Sequence, residues 1–235
     1  NDNKNYQLDK VIENLKTFWG LDITELAGDD EAALFNINGE TIALANMGLP
    51  MPWGDIEGTA QYAYNWPSAL KDLEGHTGHA IVSIMAGTKS SLERFKILSQ
   101  VLSAVLMTSE AVAVYQGSQS LLIPRIQYLT YIESLKENKI PVTLWIYIGL
   151  RNTDKGNNAY TYGLKDFQKF EIEIINSKLT LEELFNLLFN ITSYVIGNDV
   201  TLKEGETIGL TAEQKISIKL SQARFVEGTC SKREI

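Results

Sequence analysis

The chain has 235 residues, of which 44% are hydrophobic and 21% are charged, a composition that is typical of a soluble globular protein and excludes a membrane-embedded or disordered chain. Its 21 Lys and Arg residues and 29 Asp and Glu residues give a net charge of −8, which disfavours binding to nucleic acid or to an anionic membrane. Another protein is therefore the kind of partner that we expect. The single cysteine, Cys230, excludes an intrachain disulfide, which fits a reducing compartment, so we expect a cytoplasmic protein.

The N-terminal part of the chain predicts a helix followed by a hairpin. Apolar residues recur at helical spacing over residues 8–19, which predicts an amphipathic helix that covers a sheet. Asn38-Gly39 separates apolar runs at 32–37 and 41–47, and this dipeptide in such a position is a strong signal for a tight β-hairpin. The first residue is Asn1 and not methionine, so we also expect a trimmed N-terminus.

An aromatic segment follows the hairpin and carries the first candidate binding residues, Trp53, Asp55 and Trp66. Prolines and glycines interrupt it, which indicates an irregular loop with short helices near 59–64 and 67–73. A rigid aromatic loop can line a ligand pocket or anchor an interface. It can equally pack onto the sheet as a small satellite core, and we favour this second interpretation because loops this apolar usually bury themselves.

The middle of the chain predicts strands that alternate with helices. Apolar runs at 80–86, 111–115 and 142–148 are rich in β-branched residues, the pattern of strands buried on both faces at the centre of one sheet. Helical patterns over 92–107 and 124–137 lie between these runs. We expect Phe95, Leu98, Leu102 and Val105 to form the buried stripe of the first of these helices.

The C-terminal part is predicted to be rich in strands. The polar segment 151–158 is read as a surface loop. Strands are expected at 160–164 and 170–175, before a helix that Thr180 and Glu183 open as a capping box. Further short strands are expected at 200–202, 207–210 and 216–220.

These elements together predict an α+β fold. We expect a mixed β-sheet with covering helices, an N-terminal hairpin and a strand-rich C-terminal part. The whole chain, 1–235, is predicted to form a single domain, and 151–158 is the expected boundary if it forms two lobes.

Two histidines, His76 and His79, stand beside glycines just before a predicted strand and are candidate binding residues. A glycine-rich turn could bring both imidazoles to one metal ion, but zinc needs at least a third protein ligand and the sequence offers no further His or second Cys. The alternative is that His79 bonds to a loop carbonyl. We therefore predict no metal and no cofactor.

Two glutamates, Glu171 and Glu173, alternate along a predicted strand and therefore point to one face of it. A pair of carboxylates can divide acid and base roles or hold a divalent cation. A strand with one solvent-facing side predicts the same alternation without any chemistry, and we favour that interpretation. Glu206 is a further binding candidate in the turn 204–209, although this turn lacks the lysine of a phosphate-binding loop.

Several segments resemble a bacterial domain-of-unknown-function family from about residue 32 to the end of the chain. The similar segments are Met-Gly-Leu-Pro-Met-Pro-Trp at 47–53, His-Ala-Ile-Val-Ser at 79–83, Tyr-Thr-Tyr-Gly-Leu-Lys-Asp-Phe at 160–167 followed by Glu171 and Glu173, and Gly-Glu-Thr-Ile-Gly at 205–209. Members of that family usually carry Phe-Gly-Lys where this chain has Phe167-Gln168-Lys169. The resemblance implies an α+β fold in a bacterial cytoplasmic protein, and it supplies no activity, cofactor or catalytic residue.

Two functions are compatible with these residues. A non-catalytic binding or protein-interaction domain is favoured by the acidic charge, the aromatic loop and the incomplete sets of catalytic residues. The alternative is a hydrolytic or metal-assisted enzyme with a site around His79, Asp55, Glu171 and Glu173. The position of His79 relative to the carboxylates distinguishes the two.

Overall fold

The computed structural model describes residues 6–209, 215–226 and 229–234, and the chain divides into two compact units, 1–139 and 140–235. Helices and antiparallel sheets occur in the described parts of both units, so the predicted α+β class is confirmed. The units join between Lys139 and Ile140, whereas residues 151–158 lie inside the second unit. That the whole chain forms a single domain stays a prediction.

The first unit is built around an antiparallel sheet with helices on one face. Its elements in chain order are α1 (Leu8–Thr17), β1 (Ile23–Gly28), β2 (Ala32–Ile37), β3 (Glu40–Met47), α2 (Trp53–Ala60), α3 (Ala69–Leu73), β4 (His79–Ala86), α4 (Ser91–Thr108), β5 (Ala113–Gln116), β6 (Leu121–Pro124) and α5 (Arg125–Ile132).

The main sheet has the strand order β1-β2-β3-β4. Its central hairpin, β2–β3, turns at Asn38 and Gly39, which both have positive φ, 52° and 87°. These residue types adopt left-handed backbone conformations at low cost, and two such residues make the turn that matches the twist of a hairpin. The predicted hairpin is confirmed.

One face of this sheet packs against α1 and α4 and forms the core of the first unit. Val11 and Leu15 of α1, Phe35 and Ile42 of the hairpin, and Val101 of α4 are all completely or almost completely buried. Alternate residues of β2 and β3 point into this core, because successive side chains of a strand point to opposite faces.

The buried stripe of α4 differs from the predicted one. Ile97, Val101 and Ala104 are buried, together with the expected Val105, while Phe95, Leu98 and Leu102 are only half-buried. The helix carries apolar residues on more than one side and contacts α1, α5 and β4. Its sequence pattern therefore did not determine which side lies deepest in the core.

A buried carboxylate connects the hairpin to the start of α4. Glu40 is fully buried, accepts a hydrogen bond from the Lys89 N–H at 2.8 Å and pairs with the Arg94 Nε at 2.7 Å. Burial works to raise the pKa of Glu40, but the Lys89 N–H and the Arg94 guanidinium outweigh it and hold this pKa below its usual value.

The three apolar runs predicted to share one sheet lie in three different sheets, so this prediction is wrong. The run 80–86 forms β4 at an edge of the main sheet and is partly exposed, and 111–115 overlaps β5, which pairs only with β6. In the run 142–148, the first residues form a short helix after Pro141. The sequence of a short apolar run does not distinguish a buried strand from a buried helical turn.

The second unit has a mixed sheet covered by a long helix. Its elements in chain order are α6 (Val142–Trp145), β7 (Tyr147–Thr153), β8 (Gly156–Tyr162), β9 (Glu171–Ser177), α7 (Leu181–Gly197), β10 (Thr207–Gly209), β11 (Lys215–Ser217), β12 (Lys219–Gln222) and β13 (Thr229–Glu234). The strand order of its main sheet is β12-β13-β9-β8-β7, with β13 parallel to β9.

Several predictions for this unit need correction. Residues 151–158 are not a surface loop but the paired ends of the β7–β8 hairpin, whose polar side chains are also typical of a loop. Residues 200–202 form no strand. The predicted strand 207–210 corresponds to β10 as far as Gly209, and Leu210 lies outside the described residues.

Helix α7 begins as the sequence predicts. The Thr180 Oγ1 accepts a hydrogen bond from the Glu183 N–H, and the Glu183 carboxylate accepts one from the Thr180 N–H at 2.7 Å. This reciprocal pair satisfies backbone donors at the first turn of the helix. Among the described residues, none of the helices has the length and the apolar character needed to cross a membrane.

Candidate functional site

Glu171 and Glu173 are buried, with exposed fractions of 7% and 0%, so the predicted solvent-facing side of their strand is wrong. Their strand, β9, lies inside the sheet between β8 and β13 rather than at a wet surface. Burying a carboxylate is costly unless hydrogen-bond donors surround it. The hydrogen-bond donors around each glutamate therefore show which segment of the chain its carboxylate holds in place.

Glu171 binds the turn that follows β8. Its carboxylate accepts hydrogen bonds from the Thr161 hydroxyl and the Gly163 N–H, both at 2.8 Å, and from the Lys165 N–H at 3.4 Å. Burial raises the pKa of Glu171, although these donors favour the charged form. The side chain thus caps the short 3-10 helix at Leu164–Phe167 from within the sheet.

Glu173 binds the segment that follows β12. Its carboxylate accepts hydrogen bonds from the backbone N–H groups of Arg224 and Phe225, each at 2.8 Å. The Phe225 ring stacks on Tyr160 with 5.2 Å between centroids, and the Arg151 guanidinium lies over the Phe225 ring. Glu173 therefore fixes a loop against the sheet.

The two histidines hold the segment that connects β3 to α2. The Nε2 atom of His76 accepts a hydrogen bond from the Met51 N–H at 2.8 Å, so the proton of this imidazole is on Nδ1, which lies 2.7 Å from the Leu73 carbonyl oxygen. The Nδ1 atom of His79 lies 2.9 Å from the Leu49 carbonyl oxygen. The interpretation of His79 as a partner of a loop carbonyl is confirmed.

One part of the aromatic segment packs into a small core, and another part is exposed to solvent. The Trp66 ring packs against the small core around Ile56 and Leu73, and its Nε1 donates to an Asp72 carboxylate oxygen at 2.8 Å. Trp53 and Asp55 are exposed in the first turn of α2, which begins before the expected helix at 59–64. Packing as a satellite core is thus confirmed for the segment through Ile56, Ala63 and Trp66, while Trp53 and Asp55 stay outside that core.

Glu206 closes a turn near the C-terminus. Its carboxylate accepts a hydrogen bond from the Lys203 N–H at 2.9 Å, beside Gly205 with φ 81°. Within the part of the chain that the structure describes, no three His, Cys, Asp or Glu side chains come together in a way that could hold a metal ion. The candidates Trp53, Asp55, Trp66, His76 and His79 belong to the first unit, and Glu171, Glu173 and Glu206 belong to the second.

The surface that the sequence analysis missed is the side of the main sheet opposite the core of the first unit. We call this surface the outer face and define it by Ala32, Leu34, Ala43, Ala45, Ile81, Ser83 and Met85. Leu34, Ile81 and Met85 are 50%, 46% and 66% exposed. None of the residues of the outer face is charged. The signal in the sequence was that the hairpin set pointing away from the core also carries apolar residues, Leu34, Ala43 and Ala45.

The outer face continues into the segment held by the histidines. Met47 pairs with His79 at the end of β3 and β4, and Leu49, two residues further on, is largely exposed. The bond from His79 to the Leu49 carbonyl therefore positions an exposed leucine at the margin of the outer face.

The last part of the chain matches a known family model. Residues 160–233 match the family described as Domain of unknown function (DUF4261). The predicted resemblance to a domain-of-unknown-function family is confirmed for this segment. No curated protein and no solved structure matches the chain.

The DUF4261 segment begins at Tyr160 in β8 and contains both buried glutamates together with Phe225. The hydrogen bonds of Glu171 and Glu173 and the stacked rings of Tyr160 and Phe225 all lie within it. The outer face lies in the first unit and is not part of the DUF4261 match.

Proposed function

We propose that this chain is a non-catalytic protein-interaction module that binds a protein partner through the outer face of its first sheet. The observation that carries this proposal is the exposure of Leu34, Ile81 and Met85 on one face of a sheet. The opposite face of the same sheet packs against α1 and α4 and forms the core. Contiguous apolar surface on a rigid element is characteristic of protein contact sites.

The composition of the outer face supports the same function. The centre of a protein interface is depleted of charged residues, and none of the outer-face residues carries a charge although the chain has a net charge of −8. A sheet face is also held in place by its strands, so little conformational entropy is lost when a partner binds.

The enzyme alternative has less support from the site geometry. Glu171 and Glu173 bind backbone N–H groups, and His79 binds a carbonyl oxygen, so three of its four proposed residues already hold loops in place. A catalytic group has to be available to a substrate, and the hydrogen bonds of these three side chains are made to backbone atoms of the chain itself. The interaction module is therefore the function we propose.

Photo-crosslinking in cells that produce the chain tests this proposal. We expect benzoylphenylalanine at position 85 to give an adduct with a protein, because Met85 is the most exposed large side chain of the outer face. The matched control carries the same group at position 194, where Tyr194 is 50% exposed on α7. Ile81→Arg should abolish the adduct at position 85. An absence of adducts at position 85, or equal adducts at both positions, would contradict the proposal.

A further inference from the structure

We infer that the partner of the outer face is a second copy of this chain, packed sheet against sheet about a two-fold axis that runs parallel to the strands. The inference rests on the proposed function, because it uses the same face. Its support is the arrangement of large and small side chains across three strands.

Six of the seven outer-face residues form two rows in which the large residue lies at opposite ends, and Met85 lies next to Ser83 outside both rows. One row is Leu34, Ala43 and Ser83, and the next is Ala32, Ala45 and Ile81, as the strand register shows. The large residue is on β2 in the first row and on β4 in the second. The middle strand, β3, contributes only alanine to both rows.

A two-fold axis over β3 makes this pattern complementary to itself. The rotation exchanges the β2 side with the β4 side, so Leu34 faces the partner's Ser83 and Ile81 faces the partner's Ala32. Alanines of the two copies meet at the axis, which allows the sheets to approach closely. Two sheets packed face to face normally keep their strands within about 30° of each other, and this arrangement satisfies that condition.

The same rotation avoids a clash of like charges. The connection from β1 to β2 carries Asp29, Asp30 and Glu31 and lies at the end of the sheet where β4 begins, because the Asn46 N–H donates to the Glu31 carbonyl oxygen. Exchange of the two sides puts this acidic connection over the partner's His79 rather than over its own copy. Two chains of net charge −8 can thus meet on an uncharged face.

The size of the face indicates how tight the dimer is. The three strands of the outer face, about 4.8 Å apart and roughly 20 Å long, give a projected area of about 300 Å² for each copy. Specific interfaces bury about 600 to 1,000 Å² for each partner, and corrugated side chains bury more than their projected area. We therefore expect a dimer that dissociates in the micromolar range.

Sedimentation equilibrium of the purified chain at low and high micromolar concentrations tests the inference. The mass should rise with concentration from 26.3 kDa towards twice that value. Leu34→Lys and Ser83→Glu should each weaken the dimer about tenfold or more, since each buries an unpaired charge. Ile126→Lys, at a highly exposed position on α5 away from the sheet, is the matched control and should change nothing.

The double variant Leu34→Lys with Ser83→Glu distinguishes this arrangement from other dimers. In the proposed packing each new lysine lies over the partner's new glutamate, so the dimer should recover and then weaken again at high salt. Within one chain the two positions lie on either side of Ala43, and a pair formed there would not link two copies, so recovery is measured as the mass of the dimer. Thermal melts confirm that each variant is folded. No recovery in the double variant would overturn the arrangement.

The two proposals fail in different ways. A chain that remains monomeric at every concentration, while position 85 still crosslinks to a different protein, overturns the second copy as the partner and leaves the proposed function standing. A monomeric chain that also gives no adduct overturns both.

Discussion

Gln168 adopts a backbone conformation that favours glycine. Its φ of 58° ends the 3-10 helix at Leu164–Phe167. A left-handed conformation costs a residue with a Cβ roughly 1 kcal/mol. We expect Gln168→Gly to raise the free energy of unfolding by only about 0.5 kcal/mol, because the greater entropy of glycine in the unfolded chain offsets part of the strain that glycine relieves. Urea denaturation measures this change. Gln168→Ala keeps the Cβ and should give no gain, and a less stable glycine variant would contradict the explanation.

Two buried glutamates should have opposite effects on the pH dependence of stability. The pKa of Glu171 is raised, so the folded state holds its proton more tightly, and its contribution to stability falls as pH rises from the ordinary carboxyl pKa through the raised one. The pKa of Glu40 is lowered, so its contribution is complete above the ordinary carboxyl pKa and is lost as pH falls through the lowered one.

Denaturation of the wild type, Glu171→Gln and Glu40→Gln across the acidic pH range measures both contributions. The free energy of unfolding of the wild type minus that of the variant should decrease with pH for Glu171→Gln and increase with pH for Glu40→Gln. Equal slopes for the two variants would show that burial and hydrogen bonding do not set these pKa values as described.

Thr192 is a buried polar side chain in α7 whose hydroxyl finds no hydrogen-bond partner among the described residues. An unsatisfied buried hydroxyl costs about 1 to 3 kcal/mol relative to water. We expect Thr192→Val to raise the free energy of unfolding by about 1 kcal/mol, because valine keeps the shape and removes the hydroxyl. Thr192→Ala removes the hydroxyl but leaves a cavity and should gain less. Guanidinium denaturation distinguishes these outcomes, and a loss of stability in the valine variant would reveal a hidden partner.

At the scale of elements, α4 shows that a helix with several apolar sides needs its neighbours to define its core. Ile97 is almost completely buried against the sheet and α1, whereas Leu102 is half-buried. We expect Ile97→Ala to lower the free energy of unfolding by about 2 to 5 kcal/mol and Leu102→Ala, which removes as many carbon atoms, to lower it by less. The midpoints of urea denaturation give the comparison. An equal or larger loss for Leu102→Ala would mean that the predicted stripe was right.

At the scale of the whole molecule, the boundary between the two units can be tested with fragments. Residues 140–235 contain α6 and β7, whose Trp145 and Ile148 are buried, together with the rest of the second sheet. We expect this fragment to fold and unfold cooperatively, as monitored by circular dichroism. A fragment of residues 156–235 begins within the boundary segment that the sequence predicts, 151–158, and lacks β7, so it should not fold. Folding of both fragments, or of neither, would contradict the boundary at 139–140.

The elements that the sequence predicted well are those whose causes are local. Asn38-Gly39 requires a tight turn through its own backbone preferences, and Thr180 and Glu183 satisfy donors of the helix that they open. Of the candidate residues, His79 was correctly interpreted, because an imidazole beside a loop can be expected to find a carbonyl. The hairpin turn and the helix start depend on residues close together in the chain, whereas the carbonyl that His79 contacts belongs to Leu49, 30 residues away.

Other features depended on segments that meet only in the tertiary structure. Glu171 and Glu173 read as exposed because nothing near them in sequence shows that β13 joins their strand or that Arg224 and Phe225 cover Glu173. The outer face likewise needed the register of β2, β3 and β4 to show that Leu34 and Ile81 flank alanines. By itself the sequence determined the turn at Asn38-Gly39, the start of α7 and the α+β class, since these follow from neighbouring residues. Only the tertiary structure decided which polar groups are buried and which apolar face is open, because burial depends on distant parts of the chain.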